Sequence, residues 1–592
     1  MYVNRNEVNN QEVIRLATEL GITPELSMVL IKRYGYQNKE VLRNYLFADS
    51  VPYVPFPNVD KAVALIDKHI FAGCKIAIIN DYDVDGLTSG FIASEMLRVL
   101  GVETMIITSD RINEGYSISN QMIDKAKEFD ASLIITTDNG IAAFGPLTYA
   151  KELGIDVIVT DHHEPVVENG IEKLPDAEVI VEPKLKGNIY PMREICGAVV
   201  IFKVAQQLLS NENLALLNMS HLSSSTDSLL GGFMELAGIA TIMDVMPLIG
   251  ENRIIVKNAL RRINQGSYFV GIRQLAALMN IELGKVTSRR ISFGIGPCFN
   301  AESRITGKIE KGMRLLQTRD NNEAEQLARE LVDINNKRKD RTAKLEEIYL
   351  PQALESDRNF ICIYIENELH TLCGILAGRI CEKTNKPCIV LTDEPNGSLC
   401  GSGRAPKGYN MIESLRRFSE LFEKLGGHEG ACGLTISKSN YENLLEALKN
   451  EPLETAGDNF KYVDIYINPC YIRNQFLDEM CLLEPYGEDN KEICFMAERC
   501  TLIALKTLDK AGKYRTLTLI DNQGNIFDAK LFTSVCEIEN RLVCDFGKDC
   551  LSVLRKGRGS YKIDLVYEPE YNTWNGVTTI QFSCKDYQKS MT

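Results

Sequence analysis

No stretch of this chain approaches the roughly 18 consecutive apolar residues that span a bilayer, so a helical membrane protein is not expected. None of its 17 cysteines stand in a C-x-x-C pair, which argues against zinc ribbons and thioredoxin-like redox motifs. The opening residues, Met1-Tyr2-Val3-Asn4-Arg5-Asn6-Glu7, lack the basic-then-apolar layout of a secretory signal. The cysteines therefore read as reduced, mostly buried thiols of a cytoplasmic protein. Positive charge is short, with 66 Lys and Arg against 80 Asp and Glu and a net charge of −14. That disfavours indiscriminate polyanion binding but leaves room for a nucleic-acid enzyme, because local basic strips and bound cations act within an acidic whole. There is no internal repeat, no low-complexity tract, and no candidate Ser-His-Asp or Cys-His set.

What is there is acid, concentrated. Asn80-Asp81-Tyr82-Asp83-Val84-Asp85-Gly86 puts three carboxylates in five residues, directly after the apolar run Ile76-Ala77-Ile78-Ile79. Such a run reads as a buried parallel strand with a loop after it. Carboxylates crowded there repel one another unless a cation sits between them. Two more runs end the same way: Leu133–Thr137 leads into Asp138-Asn139-Gly140, and Val157–Thr160 into Asp161-His162-His163. Ligands of open α/β sheets bind outside the carboxyl ends of the strands, so the three loops can converge on one site. A mixed Asp/His set suits Mn²⁺ or Mg²⁺ better than a structural Zn²⁺, which favours thiolates.

A length of 592 residues suggests about four domains at roughly 150 residues each. Residues 1 to about 50 look helical, and Pro52, Pro55 and Pro57 then punctuate the chain. From about 60 to 205 apolar runs at 76–79, 105–107, 133–135, 157–159 and 179–181 alternate with helix-length stretches, which predicts a parallel sheet. Helices are expected over 197–210 and 226–242. The charged segment 321–350 repeats apolar residues at Ala324, Leu327, Ala328, Leu331 and Ile334, one face of a helix that is either a connector or a core element. A second α/β unit has strands at 361–365 and 388–391. Beyond about 460 the period shifts towards two, at Leu517/Leu519 and Ile563/Leu565/Tyr567, predicting a β-barrel or sandwich.

Asp81-Tyr82-Asp83-Val84-Asp85-Gly86, Asp138-Asn139-Gly140, Asp161-His162-His163 and Asp244-Val245-Met246-Pro247-Leu248 resemble the four ordered motifs of the DHH phosphoesterase superfamily. More narrowly, the chain is similar to that superfamily's single-stranded-DNA exonucleases, through Arg111–Tyr116, Gly250–Arg253, Gly401-Ser402-Gly403-Arg404, Gly426-Gly427-His428, Glu484–Gly487 and Trp574-Asn575-Gly576. The resemblance implies an α/β fold in five parts: an N-terminal helical segment (1–58), a DHH-type parallel-sheet catalytic domain (59–310), a long connecting helix (311–355), a second α/β, DHHA1-type substrate-binding domain (356–455) and a C-terminal β-barrel of OB type (456–592).

The resemblance makes Asp81, Asp83, Asp138, His162 and Asp244 ligands of one or two divalent ions, Mn²⁺ or Mg²⁺, with His163 beside them in the catalytic set. Asp85 falls outside the superfamily's ligand positions and is expected to cap the helix over Thr88–Leu100. Asn80 stands where some members carry a histidine ligand. Phosphate-binding candidates are Arg111, Asn300, Arg304, Arg379, Gly401, Ser402, Gly403, Arg404, Gly427 and His428, since glycine lets backbone approach phosphate and arginine grips it bidentately. Nucleic-acid contacts in the tail fall to Lys506, Lys513, Arg515 and Trp574, cations among stacking faces.

The pattern departs from the family's at Glu302 and Ser303, where Ala-Gly is usual, and at Ala405, Val199 and Ser117; Glu302 near phosphate is awkward unless it points away. The implied activity is a metal-dependent 5′-to-3′ exonuclease releasing mononucleotides from single-stranded DNA in repair and recombination. Its implied partners are single-stranded DNA, a single-strand-binding protein and a helicase, with no membrane and a monomeric state. A phosphodiesterase for short oligoribonucleotides or cyclic dinucleotides, and an inactive scaffold of a replication or repair complex, are the alternatives.

Overall fold

The computed structural model describes residues 2–4, 7–36, 39–50, 54–112, 117–452, 461–574 and 576–590, without the side chains of Ser224, Asn450 and Trp574. At its centre is a five-stranded, all-parallel sheet in the order Thr104–Thr108, Lys75–Asn80, Ala131–Thr137, Asp156–Thr160, Val179–Val181. The five predicted runs are these five strands. Ile76, Ile78, Leu133, Ile135 and Ile158 face one apolar core, while Ala77, Ile79, Ile134, Val157 and Val159 face a second on the other side. Burial on both faces is why these strands are continuous apolar runs rather than alternating ones.

The first strand lies between the second and third in sequence, so the chain leaves it in opposite directions across the sheet. That reversal opens a crevice at the carboxyl ends of Lys75–Asn80 and Ala131–Thr137. Helix Val84–Val99 packs almost wholly buried over the crevice. Gly86 permits this, because a Cβ there would run into the Asp81 backbone. Gly197 does the same for a second helix, Gly197–Leu208, since a Cβ at its first residue would lie 2.7 Å from that of Asp138.

The helix Asn321–Glu355 runs 35 residues from an Asp320 cap that accepts from Glu323 N at 2.8 Å. It is both connector and core element. Ala324, Ala328 and Leu331 belong to the core beneath the parallel sheet, and Leu345 and Ala353 to that of the next lobe. That lobe carries a five-stranded mixed sheet in the order Phe422–His428, Ala431–Ser437, Ser398–Arg404, Cys388–Asp393, Ile361–Ile365. Both lobes form one compact unit, residues 49–457 with 487–489.

The second unit joins residues 1–48 to 458–486 and 490–592. Phe495–Thr507 pairs with both Arg515–Ile520 and Tyr561–Trp574, and Val577–Lys589 pairs with Ile526–Leu531, which closes a five-stranded barrel. The helices of residues 10–47 build no core of their own. Leu16, Leu26, Leu30 and Leu42 bury among Phe476, Phe495 and Leu502 of the barrel region, and Arg33 pairs with buried Asp464 at 2.6 Å. An 11-residue helix has too little apolar face to stand alone, so this segment docks on chain more than 400 residues away.

Candidate metal centre

The three central strands of the parallel sheet, ending at Asn80, Thr137 and Thr160, are each followed at once by an aspartate: Asp81, Asp138 and Asp161. One oxygen from each of Asp81, Asp83 and Asp138 falls within a 4.8 Å group; Asp138, His162 and His163 form a second such trio, and Asp85, His162 and Asp244 a third. His162 Nε2 lies 3.0 Å from Asp138 Oδ1 and 3.6 Å from both Asp85 and Asp244. Asp138 reaches inward from the left-handed region at φ 60°, and Val245, next to Asp244, is also left-handed at φ 57°. Such conformations are uncommon for residues other than glycine, and most strained for β-branched valine.

The electrostatics are those of a cage built for a cation. Burial first, then the charge of Asp83, pushes Asp81 up to about 8 and Asp85 up to about 6. Burial and the neighbouring acids hold Asp138 and Asp244 well above the ordinary carboxylate range. Asp244 Oδ2 is buried with no hydrogen-bond partner among the described residues, a costly state that a cation relieves. Burial and the neighbouring His163 hold His162 down at about 3, so its imidazole is neutral with a lone pair to give. Oxygen and imidazole donors without thiolate fit Mn²⁺ or Mg²⁺.

Supporting groups hold the cage in shape. Asp161 resists its burial through the His163 hydrogen bond and stays low at about 2; its Oδ1 lies 2.7 Å from His163 Nδ1 and also accepts from His162 N at 2.7 Å. Against its own burial, His163 is raised to about 9 by that bond to Asp161. Asn80 gives its amide to the carbonyls of Asp81 (2.8 Å) and Gly86 (3.1 Å) and accepts from Thr108 at 2.7 Å. The position that elsewhere in the superfamily can carry a histidine here braces the loop backbone.

Asp85 corrects the sequence reading. The helix begins at Val84, not at Thr88, and its cap is Asp83, which accepts from Gly86 N at 3.1 Å. Asp85 is 2% exposed and accepts at 2.7 Å from Gly197 N and Ala198 N, capping the distant helix Gly197–Leu208 while facing His162. Starting the helix four residues early turns this carboxylate inward.

Beside the cage lies a cluster of guanidinium groups. Burial, then the charges of Arg111 and Arg338, holds Arg304 down at about 9, with Asp83 pulling the other way and Arg404 adding to the repulsion. Arg304 donates to the Thr371 carbonyl at 2.9 Å, tying the two lobes together. Arg111 stacks 4.4 Å over the Tyr82 ring and donates to Ser303 Oγ at 3.2 Å. Arg338, which no motif singled out, is held by Asn335 Oδ1 through Nε (3.1 Å) and Nη2 (2.9 Å).

Other expected phosphate contacts have protein partners. Arg379 pairs with Glu346 of the long helix at 2.6 Å. Asn300 Oδ1 accepts from Val84 N at 3.1 Å and so serves the metal loop. Glu302 does point away, accepting from Lys311 N and Gly312 N at 2.9 and 2.8 Å. Gly401-Ser402-Gly403-Arg404 forms the end of the strand Ser398–Arg404, where a Cβ at Gly401 would strike the Val390 carbonyl. Gly427, at φ 142°, likewise meets the Ala431 backbone. His428 is exposed near its hairpin tip, where its Nδ1 accepts from Gly430 N at 3.2 Å, and no hydrogen bond among the described residues joins it to the cage.

In the barrel, Arg515 is bound to Glu539 at 2.8 Å and to the Gly512 carbonyl at 2.6 Å, which takes it out of the free cations. Lys506 and Lys513 are exposed, Lys513 lying 5.3 Å over the Tyr514 ring. The Trp574 side chain and residues 113–116 lie outside the described residues.

Comparison with known proteins agrees with this arrangement. Residues 75–225 match the DHH family, N-terminal domain, residues 357–451 the DHHA1 domain, and residues 463–586 the RecJ OB domain. The single-stranded-DNA-specific exonuclease RecJ of Bacillus subtilis (strain 168) is 31% identical over 588 residues, covering 98% of this chain and 70% of that protein. RecJ of Escherichia coli (strain K12) is 31% identical over 460 residues, 74% of this chain and 76% of that one. The crystal structure of Thermus thermophilus RecJ in complex with Mn²⁺ shares the fold, with a TM-score of 0.78 at 24% identity over 99% of this chain and 79% of that one. A crystal structure of exonuclease RecJ bound to manganese matches with a TM-score of 0.57 at 29% identity, covering 68% of this chain and 97% of that chain. Motifs, sheet order, closed barrel and identity over most of its length together establish that the chain belongs to the RecJ family of single-stranded-DNA-specific exonucleases.

Proposed function

We propose that this chain is a metal-dependent exonuclease that hydrolyses phosphodiester bonds of single-stranded DNA, with Asp81, Asp83, Asp85, Asp138, His162 and Asp244 holding Mn²⁺ or Mg²⁺. The observation that carries the reading is one largely buried cage of like-charged carboxylates set beside half-buried arginines in the same compact unit. A divalent ion there supplies a Lewis acid that activates water and screens the charge of the scissile phosphate.

The chain's own residues do the rest. His162 offers a neutral nitrogen, and two backbone amides fix the orientation of Asp85. Arg304, Arg111, Arg404 and Arg338 grip the phosphates flanking the cleavage point, because guanidinium groups cannot shed their charge and must find an anion. Tyr82 keeps Arg111 flat by stacking under it. The exposed Lys506 and Lys513 of the barrel contact single-stranded DNA through its backbone.

Polarity from the 5′ end, mononucleotide products, work in repair and recombination in the cytoplasm as a monomer, and association with single-strand-binding protein or a helicase belong to the same proposal. The barrel matched to the RecJ OB domain weighs against a small-substrate phosphodiesterase, and the intact cage against a scaffold. The decisive assay supplies Mn²⁺ or Mg²⁺ with matched DNA and RNA oligomers labelled at either end. Labelled mononucleotide released first from 5′-labelled DNA is the expected result. No release with either metal overturns the enzyme reading.

A further inference from the structure

Strand Thr104–Thr108 is the outer edge of the parallel sheet, hydrogen-bonded on one side only among the described residues. Ile76 N donates to Glu103 O, so in this register residues 103, 105 and 107 bond inward. The N–H and C=O of Thr104, Ile106 and Thr108 then point outward. Soluble proteins blunt such an edge with charge, proline or a bulge. Thr104-Met105-Ile106-Ile107-Thr108 has no charge and no proline, and its register with Lys75–Asn80 runs without a bulge.

The edge is recessed rather than bare. It forms the floor of a cavity of about 890 Å³ whose walls come from helix Asn120–Glu128 with Phe129 on one side, and from Gly307 and helix Glu310–Gln317 on the other. A second folded sheet flanked by its own helices cannot reach a recessed edge, whereas a single extended chain can. The walls are apolar where they meet the strand, with Phe129 on one face and Ile309 and Met313 on the other. Charge around the cavity is balanced: Lys125, Lys308 and Arg314 stand against Asp110, Glu128 and Glu310, and Lys308 bonds to Glu310 at 3.0 Å.

We propose that this edge is a docking site for an uncharged, β-branched extended peptide of a partner protein, which adds as a sixth strand beside Thr104–Thr108. Main-chain bonds to Thr104, Ile106 and Thr108 would supply affinity, and alternate side chains would enter the two apolar walls. The far end of the strand adjoins the cage, since Thr108 bonds Asn80 behind the metal loop, but the proposal rests on the fold and not on the proposed chemistry.

The test uses the full chain and a fluorescent peptide, Thr-Val-Thr-Val-Thr-Val, followed by anisotropy. Saturable binding is expected. Replacing valine by glutamate in the peptide should weaken it by about tenfold or more, since the cavity offers no net positive charge. Ile106→Pro removes one outward donor without touching the ladder, a change that edge strands tolerate; it should weaken binding about tenfold and leave DNA cleavage unchanged. Met105→Glu, at an exposed position lining the cavity, serves the same purpose should the proline variant fail to fold. Equal binding by both variants, or no saturable binding by the parent chain, overturns the proposal. So does a dimer in sedimentation that Ile106→Pro dissolves, because the occupant is then a second copy.

Discussion

The acid cage and the arginine cluster share one unit, and each packs like charges out of water, yet they meet that burden differently. The acids can give up charge. Asp81 at about 8 and Asp85 at about 6 take up protons that exposed carboxylates would have lost. The arginines keep theirs, because a guanidinium stays protonated at neutral pH. Even Arg304, held down at about 9, is charged at neutral pH. The cage is therefore suited to exchange protons for metal, whereas the cluster keeps its positive charge at neutral pH.

The largest effect should come from breaking the cage at Asp138, the carboxylate common to two of its trios. Asp138→Asn is expected to lower kcat by about a thousandfold or more in Mn²⁺ while single-stranded-DNA binding, read by filter retention, changes little. Turnover near the parent's would remove Asp138 from the site. On the other side of the comparison, Arg304→Gln should cost about a hundredfold in kcat/KM without lowering Tm, because it removes a buried repulsive charge. A Tm drop of several degrees would mean that Arg304 is chiefly a structural tie to Thr371.

Asn335→Ala sharpens the contrast further. It leaves Arg338 charged but unheld, and should raise KM about tenfold with kcat nearly unchanged. An unchanged KM would place Arg338 off the DNA path. The smallest effect is thermal. Groups with raised carboxyl pKa values bind more protons folded than unfolded, so metal-free stability falls as pH rises from about 4 through the values of about 6 and about 8 of Asp85 and Asp81. A bound cation removes that loss. The rise in Tm on adding Mn²⁺ should therefore be larger at pH 8.5 than at pH 6, by about 2 °C or more. A rise independent of pH would show that the acids stay ionised without metal.

Much of the cage was legible because strand ends are legible. Asp81, Asp83, Asp138 and His162 come just after uninterrupted apolar runs, and a parallel sheet gathers the loops at the carboxyl ends of its strands along one edge. Asp85 was missed because an N-cap and its neighbour two residues on look alike in sequence; the start of the helix decides which carboxylate faces its own backbone. Arg338 sits on a charged helix face that reads as solvated, and only the packing of Asn335 against Cys298 (3.5 Å) shows that face buried. Gly401 and Gly403 read as phosphate-binding candidates, yet the tight fit that requires glycine there comes from Val390 and Cys432, contributed by the two neighbouring strands.

The same limit explains the first 48 residues. Their helical period is plain, but their apolar face matches a barrel formed by the far end of the chain. Local sequence determined the elements, their order and the chemical kind of the site, because strand and helix periods and strand-end acids are short-range signals. Tertiary structure alone decided which carboxylates face inward, which arginines are paired with neighbouring acids and which gather beside the cage, and which edge of the sheet is left unpaired among the described residues. Those outcomes depend on contacts between segments hundreds of residues apart, and a linear pattern carries no record of their distance in space.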